Sequence, residues 1–214
     1  MTSTRSPRKE LSKPSLLPHW DGDIYSKYAA PFYDLVTSLT GWKAHLSSAL
    51  ENIEPCRLLD VGCGTGSLMR QAFERGFDVT GIDASSGMLE RARELLGADG
   101  PESLLASATE LPFRDDSFDT AIASGSLVHI PEIAQAASEM LRVVKSGGLI
   151  RIIDHAIPQE RSLLTPLALL FSQCSGDIIH DYEHQFSGAG KLRSHQTLGR
   201  AGILQRYDFI VCKT

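Results

Sequence analysis

The stretch Cys56-Arg-Leu-Leu-Asp-Val-Gly-Cys-Gly-Thr-Gly66 decides the fold class of this chain. A short apolar run leads directly into three glycines at alternate positions, a pattern typical of a buried strand that turns into a helix. Glycines at such a junction let backbone N–H groups approach a ligand closely. The stretch therefore predicts a strand, a ligand-binding loop and a helix, in that order.

The same strand–helix order repeats through the centre of the chain. Because nearly all-apolar strands alternate with amphipathic helices, we expect an α/β, Rossmann-like doubly wound fold with a mostly parallel sheet of six to seven strands and helices on both faces. Ligands of such sheets bind at the carboxyl ends of the strands. Strands are predicted over 56–62, 78–83, 103–108, 118–124 and 149–155, and helices over 67–75, from the cap at Ser85 and Ser86 to Gly97, and over 131–144.

Two acidic residues and one serine limit the classes of ligand that the loop can bind. Asp83 ends the second strand, 23 residues after Asp60, where a carboxylate can accept hydrogen bonds from two ribose hydroxyls. A dinucleotide-binding loop, G-x-G-x-x-G, would have its third glycine at position 67, but that residue is Ser67. The loop thus favours a nucleoside ligand other than NAD.

With two later motifs, these features resemble a known family. The motifs are Leu-Pro-Phe at 111–113, in the link between the third and fourth strands, and Arg-Val-Val-Lys-Ser-Gly-Gly at 142–148, before the fifth strand. In order and spacing, residues 56–155 resemble the class I S-adenosylmethionine-dependent methyltransferases. The resemblance is closest to the small-molecule branch that includes the ubiquinone/menaquinone C-methyltransferases.

The resemblance implies S-adenosyl-L-methionine as cofactor and assigns positions to it. The glycine loop would contact its methionine part, Asp83 its ribose, and Ala84 and Met88 its adenine. Ser124, Gly125 and Leu127 would line the reaction centre. The family usually has an acid where this chain has Ser107, which keeps one hydroxyl acceptor but no charge. The implied cofactor-binding residues are Tyr25, Tyr28, Asp60, Gly62, Cys63, Gly64, Gly66, Asp83, Ala84, Met88, Ser107, Ala108, Ser124 and Gly125, with Tyr33 beside the first two tyrosines in an aromatic helix over the cofactor.

Methyl transfer to a small molecule is the function that this resemblance implies. The acceptor must be aligned for in-line attack with water excluded, and an oxygen or carbon acceptor must also lose a proton. Candidate catalytic groups are His129 after the fourth strand, and Asp154 and His155, which we expect at the pocket rim where the fifth strand ends. A structural role for each stays open.

Three other function classes are alternatives to methyl transfer to a small molecule. A non-catalytic or partner-dependent S-adenosylmethionine-binding subunit is the first alternative, because little chain remains to build an acceptor site. A nicotinamide oxidoreductase is disfavoured by Ser67 and by the missing Tyr-x-x-x-Lys pair. A nucleic-acid or protein methyltransferase is disfavoured by the sequence after Ser124, which lacks an Asn-Pro-Pro-Tyr motif. His180-Asp-Tyr-Glu-His184 matches a zinc-peptidase pattern formally, but neighbouring glycines indicate a short element or a substrate-facing lid.

Length and composition set the domain organisation. The chain has 214 residues, 42% of them hydrophobic, and 21 basic against 26 acidic side chains give a net charge of −5. We expect a disordered basic tail (1–20) and one domain (21–214), made of N-terminal cap helices (21–54), a cofactor-binding half (55–155) and a substrate-facing half (156–214). The acidic balance argues against a nucleic-acid partner, and four cysteines without metal spacing argue for a cytoplasmic protein without metal.

The C-terminal part shows weaker periodicity. We expect a helix over 163–174, which lines an apolar acceptor pocket or packs in the core. An irregular segment, a helix over 194–200 and a final strand over 207–213 should follow. This end is too short for the two long strands that usually complete the family's sheet, so we expect six full strands with a stub, or a shortened hairpin. The same shortage suggests that a homodimer completes the acceptor site. No apolar run is long enough to span a membrane.

Overall fold

The computed structural model describes residues 46, 48–155, 166, 177–198 and 204–213. Seven strands and four α-helices lie within them, together with a 3₁₀ helix at Leu127–His129. In chain order these are β1 (Arg57–Val61), α1 (Ser67–Glu74), β2 (Asp78–Asp83), α2 (Ser86–Leu96), β3 (Ser103–Leu105), β4 (Phe118–Ser124), α3 (Ile133–Val143), β5 (Val144–His155), α4 (Tyr182–Phe186), β6 (Gly190–Leu198) and β7 (Leu204–Val211).

The strands form one sheet in the order β3-β2-β1-β4-β5-β7-β6. β1 lies at the centre of the parallel part, between β2 and β4, and β3 and β5 extend that part on either side. β7 pairs with β5 and β6 in antiparallel orientation. Chain order reverses at β1, so the carboxyl ends of β1 and β4 flank the crevice where doubly wound sheets bind ligands. The predicted fold class is confirmed.

Apolar side chains project from both faces of the sheet, as the continuous apolar strands predict. In β1, Leu59 and Val61 join a buried cluster that includes residues of α3 and α4. Leu58 points the opposite way, into a second cluster with α1, α2 and residues 46–50. The sheet is therefore covered on both sides, and its strand ends are held by packing on each face.

The predicted ends of helices and strands agree best with the structure where a capping residue marks them. Ser85 caps α2 by accepting a hydrogen bond from the N–H of Met88 at 3.3 Å, and Gly97 ends the helix with a φ of 75°. β3 is shorter than predicted, because Ser107 is in an isolated bridge with Glu110. β5 begins at Val144, five residues earlier than predicted, where Val144 pairs with Phe118 beside an irregularity in the β4 register.

The C-terminal prediction of a helix over 194–200 was wrong, because residues 194–198 belong to strand β6. Of the two expected endings of the sheet, a stub or a shortened hairpin, the structure has a hairpin, and its last strand, β7, overlaps the predicted final strand over 207–213. β6 pairs with β7 from Gly190 to Leu198. The edge strand is mostly exposed and carries few apolar residues, so its sequence lacks the alternation that identifies a half-buried strand.

Several predictions lie outside the described residues. These are the tail over 1–20, the aromatic segment with Tyr25, Tyr28 and Tyr33, and the helix over 163–174 apart from Pro166. Among the described residues, no helix combines the length and apolar character needed to cross a membrane.

Candidate active site

The glycine loop after β1 is built around the end of β2. The N–H groups of Gly62 and Cys63 both donate to the carbonyl of Ile82 at 2.8 Å. The Gly64 N–H donates to the carboxylate Oδ2 of Asp83 at 2.9 Å. Loop and acid, which the sequence placed 19 residues apart, therefore form one unit at the carboxyl ends of two neighbouring strands.

Gly62 and Gly64 both have the left-handed backbone that other residues rarely adopt, with φ values of 74° and 54°. A Cβ on Gly62 would lie 2.3 Å from the Cβ of Ser126, so this glycine permits close packing with the loop after β4. A Cβ on Gly64 would meet no atom within 4 Å. The loop is thus tightly packed against Ser126 at Gly62 and open at Gly64, as a surface that receives a ligand must be.

Asp83 is held in place by two backbone amides. Its Oδ1 accepts from the Ser85 N–H at 2.8 Å, and its Oδ2 accepts from Gly64. Burial raises the pKa of Asp83, and the two amide hydrogen bonds offset this only in part. A buried, oriented carboxylate of this kind can accept hydrogen bonds from hydroxyl groups of a ligand.

Asp60 lies inside the same site and is almost fully buried, at 2% exposure. Burial raises the pKa of this carboxyl to about 8, and the negative charge of Asp83 adds to the rise. Burial likewise raises the pKa of the Cys63 thiol, reinforced by both carboxylates, so the thiol stays protonated. The electrostatic coupling between these two carboxyl groups favours a ligand that brings positive charge next to them.

Four buried polar side-chain atoms lack hydrogen-bond partners within the described part of the chain, and two of them, Oδ2 of Asp60 and Oγ of Ser124, lie at this site. Buried polar atoms are nearly always paired. These two lie at the carboxyl ends of β1 and β4, the strands that flank the crevice. S-adenosylmethionine carries a sulfonium, an ammonium and ribose hydroxyls, which match acceptors of this kind. The donor and acceptor set at these strand ends therefore fits that cofactor.

The other predicted cofactor residues lie around Asp83. Ala84 is exposed and directly follows Asp83, whereas Met88 is buried in the first turn of α2. The carbonyl of Asp83 accepts from the Ala106 N–H at 3.1 Å, which places the segment with Ser107 and Ala108 beside the acid. The hydroxyl of Ser107 is engaged locally, 2.6 Å from that of Thr109.

The loop after β4 is fixed to both neighbouring strands. The Gly125 N–H donates to the carbonyl of Ile153 on β5 at 2.9 Å, and the Ser126 hydroxyl donates to the carbonyl of Val61 on β1 at 2.7 Å. Ser124 and Gly125 are thereby held at the end of β4, opposite the glycine loop. Sequence reasoning missed Ser126, whose role depends on two strands that are distant in the chain.

Asp154 does not lie at a pocket rim, and that expectation was wrong. The residue is 1% exposed, and its Oδ2 accepts from the N–H groups of Leu127 and Val128 at 3.0 and 3.2 Å. Its Oδ1 accepts from the N–H of His155 at 3.0 Å. Burial raises the pKa of Asp154 to about 7, against the lowering effect of His155 and the backbone donors. Asp154 thus orients the 3₁₀ helix that carries His129.

The two predicted histidines meet at a third residue, Asp177, which the sequence did not single out. Nδ1 of His155 lies 2.7 Å from Oδ2 of Asp177, and Nδ1 of His129 lies 3.9 Å from Oδ1. The side chains of His129 and His155 are 33% and 23% exposed, whereas that of Asp177 is 5% exposed. A buried carboxylate therefore joins two accessible imidazoles.

The zinc-peptidase pattern does not take the required form. His180 precedes the five-residue helix α4, and His184 lies within it, so the two do not share a long helical face. Nε2 of His180 is hydrogen-bonded to the carbonyl of Leu127 at 3.1 Å. The predicted short element is confirmed, and His180 serves to attach it to the loop after β4.

Comparisons with known proteins agree with this geometry. A family model described as a methyltransferase domain matches residues 59–152. A demethylmenaquinone methyltransferase of Clavibacter sepedonicus is 38% identical over 118 residues, which are 55% of this chain and 48% of that protein. One from Listeria monocytogenes serotype 4a is 35% identical over 141 residues, 60% of each chain. This chain spans about half to three fifths of the length of the curated relatives that it matches.

Solved structures share the fold. The methyltransferase component in a complex of the Haloferax volcanii Trm112 methyltransferase activator with a putative methyltransferase superposes with a TM-score of 0.74 at 16% identity, covering 90% of this chain and 98% of that chain. At this level of identity the match supports the sheet order and the helices that cover it.

Proposed function

Because residues 59–152 match a methyltransferase domain model, we propose that the chain is a class I S-adenosylmethionine-dependent methyltransferase that transfers a methyl group from S-adenosylmethionine to a small-molecule acceptor. The observation that carries this proposal is the paired glycine loop and Asp83, with the buried Asp60 carboxylate beside them. A second carboxylate beside the loop would repel the pyrophosphate of a dinucleotide, whereas it would attract a ligand that carries positive charge.

When bound, S-adenosylmethionine supplies a methyl group that its sulfonium sulfur already activates. The chain then has to bind, orient and exclude water. In the proposed arrangement the open side of the loop at Gly64 receives the methionine part, and Asp83 accepts hydrogen bonds from the ribose. Asp60 and Ser124 supply the buried acceptors between β1 and β4. These roles follow from the carboxyl-end position that all four residues share.

The acceptor side of the site is the loop after β4 together with the end of β5. His129 interacts electrostatically with Asp83, since each affects the pKa of the other. The imidazole therefore lies within electrostatic range of both Asp83 and Asp177. A histidine placed there can remove a proton from an acceptor as the new bond forms.

A reduced quinone is the acceptor class that we propose to test first. The relatives are named demethylmenaquinone methyltransferases, and the ring of that substrate is a naphthoquinone. A ring carbon beside a hydroxyl becomes nucleophilic when the hydroxyl loses its proton, which suits a site with a nearby histidine. The homodimer stays a prediction, which sedimentation analysis of the purified chain would test.

Transfer of an isotopically labelled methyl group tests the function. The full chain would be incubated anaerobically with methyl-labelled S-adenosylmethionine and 1,4-dihydroxynaphthalene, and we expect the label in a methylated naphthalene product. Asp83→Ala should abolish transfer. Asp78→Ala is the matched control, because Asp78 lies at the opposite end of β2 with 78% of its side chain exposed. Cofactor binding without any transfer would contradict the proposed activity on this acceptor class.

A further inference from the structure

Asp177 is buried between two histidines from different elements. His155 ends β5, and His129 ends the 3₁₀ helix after β4. The carboxylate uses one oxygen for each imidazole, at 2.7 Å for His155 and 3.9 Å for His129. Both contacts involve Nδ1, so Asp177 faces the same edge of the two rings.

The segment that carries Asp177 is attached on its C-terminal side to the loop after β4. The Ile178 N–H donates to the carbonyl of Val128 at 2.7 Å. His180 is hydrogen-bonded through Nε2 to the carbonyl of Leu127 at 3.1 Å. Because Leu127 and Val128 also donate to Asp154, the carboxylate of Asp177 and the imidazole of His129 are held by one hydrogen-bonded unit.

We propose that Asp177 is a positioning residue that fixes His155 by a hydrogen bond and keeps it beside His129, the ring that accepts the proton, and that the methyl acceptor carries an ionisable hydroxyl group. This inference rests on the proposed methyl transfer. It explains why a carboxylate that is 5% exposed lies under two partly exposed imidazoles at the edge of the cofactor site. A carboxylate beneath a histidine fixes its ring orientation and stabilises the imidazolium that forms when the ring takes up a proton.

The groups around the two imidazoles shift their pKa values in opposite directions. Burial opposes protonation of His155, but the hydrogen bond and charge of Asp177 and the charge of Asp154 outweigh it, so the pKa of His155 is raised. Burial lowers the pKa of His129, helped by the charge of His155 and opposed by Asp177 and Asp83. Tyr182 from α4 also faces this group, and burial with the charge of Asp154 keeps the pKa of its hydroxyl above the ordinary value.

This arrangement suits a phenol-like or enol-like acceptor. The hydroxyl of such a molecule has a pKa of about 10, so a base within reach is needed to favour its anion. In the balanced transfer, the acceptor atom bonds to the methyl carbon, the carbon–sulfur bond breaks and sulfur keeps the electron pair. The hydroxyl proton passes to His129 and then to water, while His155 keeps its hydrogen bond to Asp177.

Nuclear magnetic resonance titration of the imidazoles in the full chain tests the role of Asp177. In the wild type we expect His155 to titrate at higher pH than His129. Asp177→Asn should lower the pKa of His155 by roughly 1–3 units, and Asp177→Glu should keep it raised. Asp181→Asn is the matched control, since Asp181 lies four residues away and caps α4, a function that Asn retains.

The opposite order of the two pKa values in the wild type would overturn the inference without any variant. So would a His155 pKa that Asp177→Asn leaves unchanged. Cofactor binding separates this result from the proposed function. If the wild type binds S-adenosylhomocysteine but His155 titrates as a free imidazole, only the role of Asp177 fails. If the predicted titration is found but neither S-adenosylmethionine nor its product binds, the proposed function fails.

The binding of two naphthalene derivatives tests the proposed class of methyl acceptor. In the presence of S-adenosylhomocysteine, 1-naphthol should bind about tenfold more tightly than 1-methoxynaphthalene, because only the naphthol can donate a hydrogen bond to the pair. Asp177→Asn should remove this preference, and Asp181→Asn should keep it. Equal binding of the two probes, or no binding of either, would overturn the hydroxyl-bearing acceptor.

Discussion

At the scale of single residues, the glycine loop permits a matched comparison. Gly62 and Gly64 share a left-handed backbone, so an alanine at either position costs about 1–2 kcal/mol. Only at Gly62 would the new Cβ also overlap a neighbour, the Cβ of Ser126 at 2.3 Å. We expect Gly62→Ala to be less stable than Gly64→Ala by at least about 1 kcal/mol, measured by urea unfolding. Equal stabilities would show that Ser126 moves aside freely.

The position of the proposed cofactor-binding residues at the strand ends was predictable from sequence, because local geometry defines it. The alternating glycines and Asp83 each occupy a strand end, and strand ends of a parallel sheet meet at one edge. Asp177 was not predictable. Among the described residues it lies in a stretch without regular structure, 177–181, 22 residues from His155, and the attachment of residues 178–180 to the loop after β4 holds it beside the histidines.

At the scale of elements, a buried ion pair joins β5 to β7. Nε and Nη2 of Arg151 donate to the two carboxylate oxygens of Asp208 at 2.7 and 2.9 Å. Nη1 of Arg151 also donates to the carbonyls of Ala49 and Glu51 at 2.9 and 2.8 Å. One side chain therefore ties the end of the segment before β1 to the antiparallel part of the sheet. The sequence shows the two partners as opposite charges, Arg151 and Asp208, each within an apolar strand.

This ion pair predicts a strong, non-additive effect on stability. Arg151→Met should lower the free energy of unfolding by about 3–5 kcal/mol, because it leaves the Asp208 carboxylate buried and unpaired. The double variant Arg151→Met with Asp208→Leu should lose less than the sum of the two single variants. A double-mutant cycle in urea measures the difference. Additive losses would contradict a coupled pair.

The wrong prediction at β6 has a physical cause at this scale. Residues 194–198 have no apolar stripe, because an edge strand on the outside of the sheet buries little. What holds the strand is its partner, including His195 stacked on Tyr207 at 4.1 Å and Ser194 donating to Asp208 at 3.0 Å. Such cross-strand contacts are set by the hairpin and not by local sequence.

At the scale of the whole molecule, the buried Asp60 predicts how stability depends on pH. Burial raises its pKa from 3.8 to about 8, so between these values the folded chain holds a proton that the unfolded chain has released. The contribution of Asp60 to stability is therefore largest near pH 4 and falls as the pH rises towards 8.

Replacing that carboxyl by a neutral amide should remove this dependence. Asp60→Asn should exceed the wild type in unfolding free energy by roughly 2–5 kcal/mol near pH 8 and differ little near pH 4. The exposed Asp78→Asn should follow the wild-type curve. Urea unfolding across this pH range measures the three profiles, and parallel curves for Asp60→Asn and wild type would contradict the raised pKa.

Calorimetric titration of the full chain with S-adenosylmethionine, S-adenosylhomocysteine and NAD tests the central claim most directly. Asp83→Ala and the control Asp78→Ala would be measured alongside, since they alter opposite ends of one strand. We predict micromolar binding of the first two ligands to wild type and Asp78→Ala, lost in Asp83→Ala, and no binding of NAD. Binding of NAD alone, or cofactor binding that survives Asp83→Ala, would contradict the account.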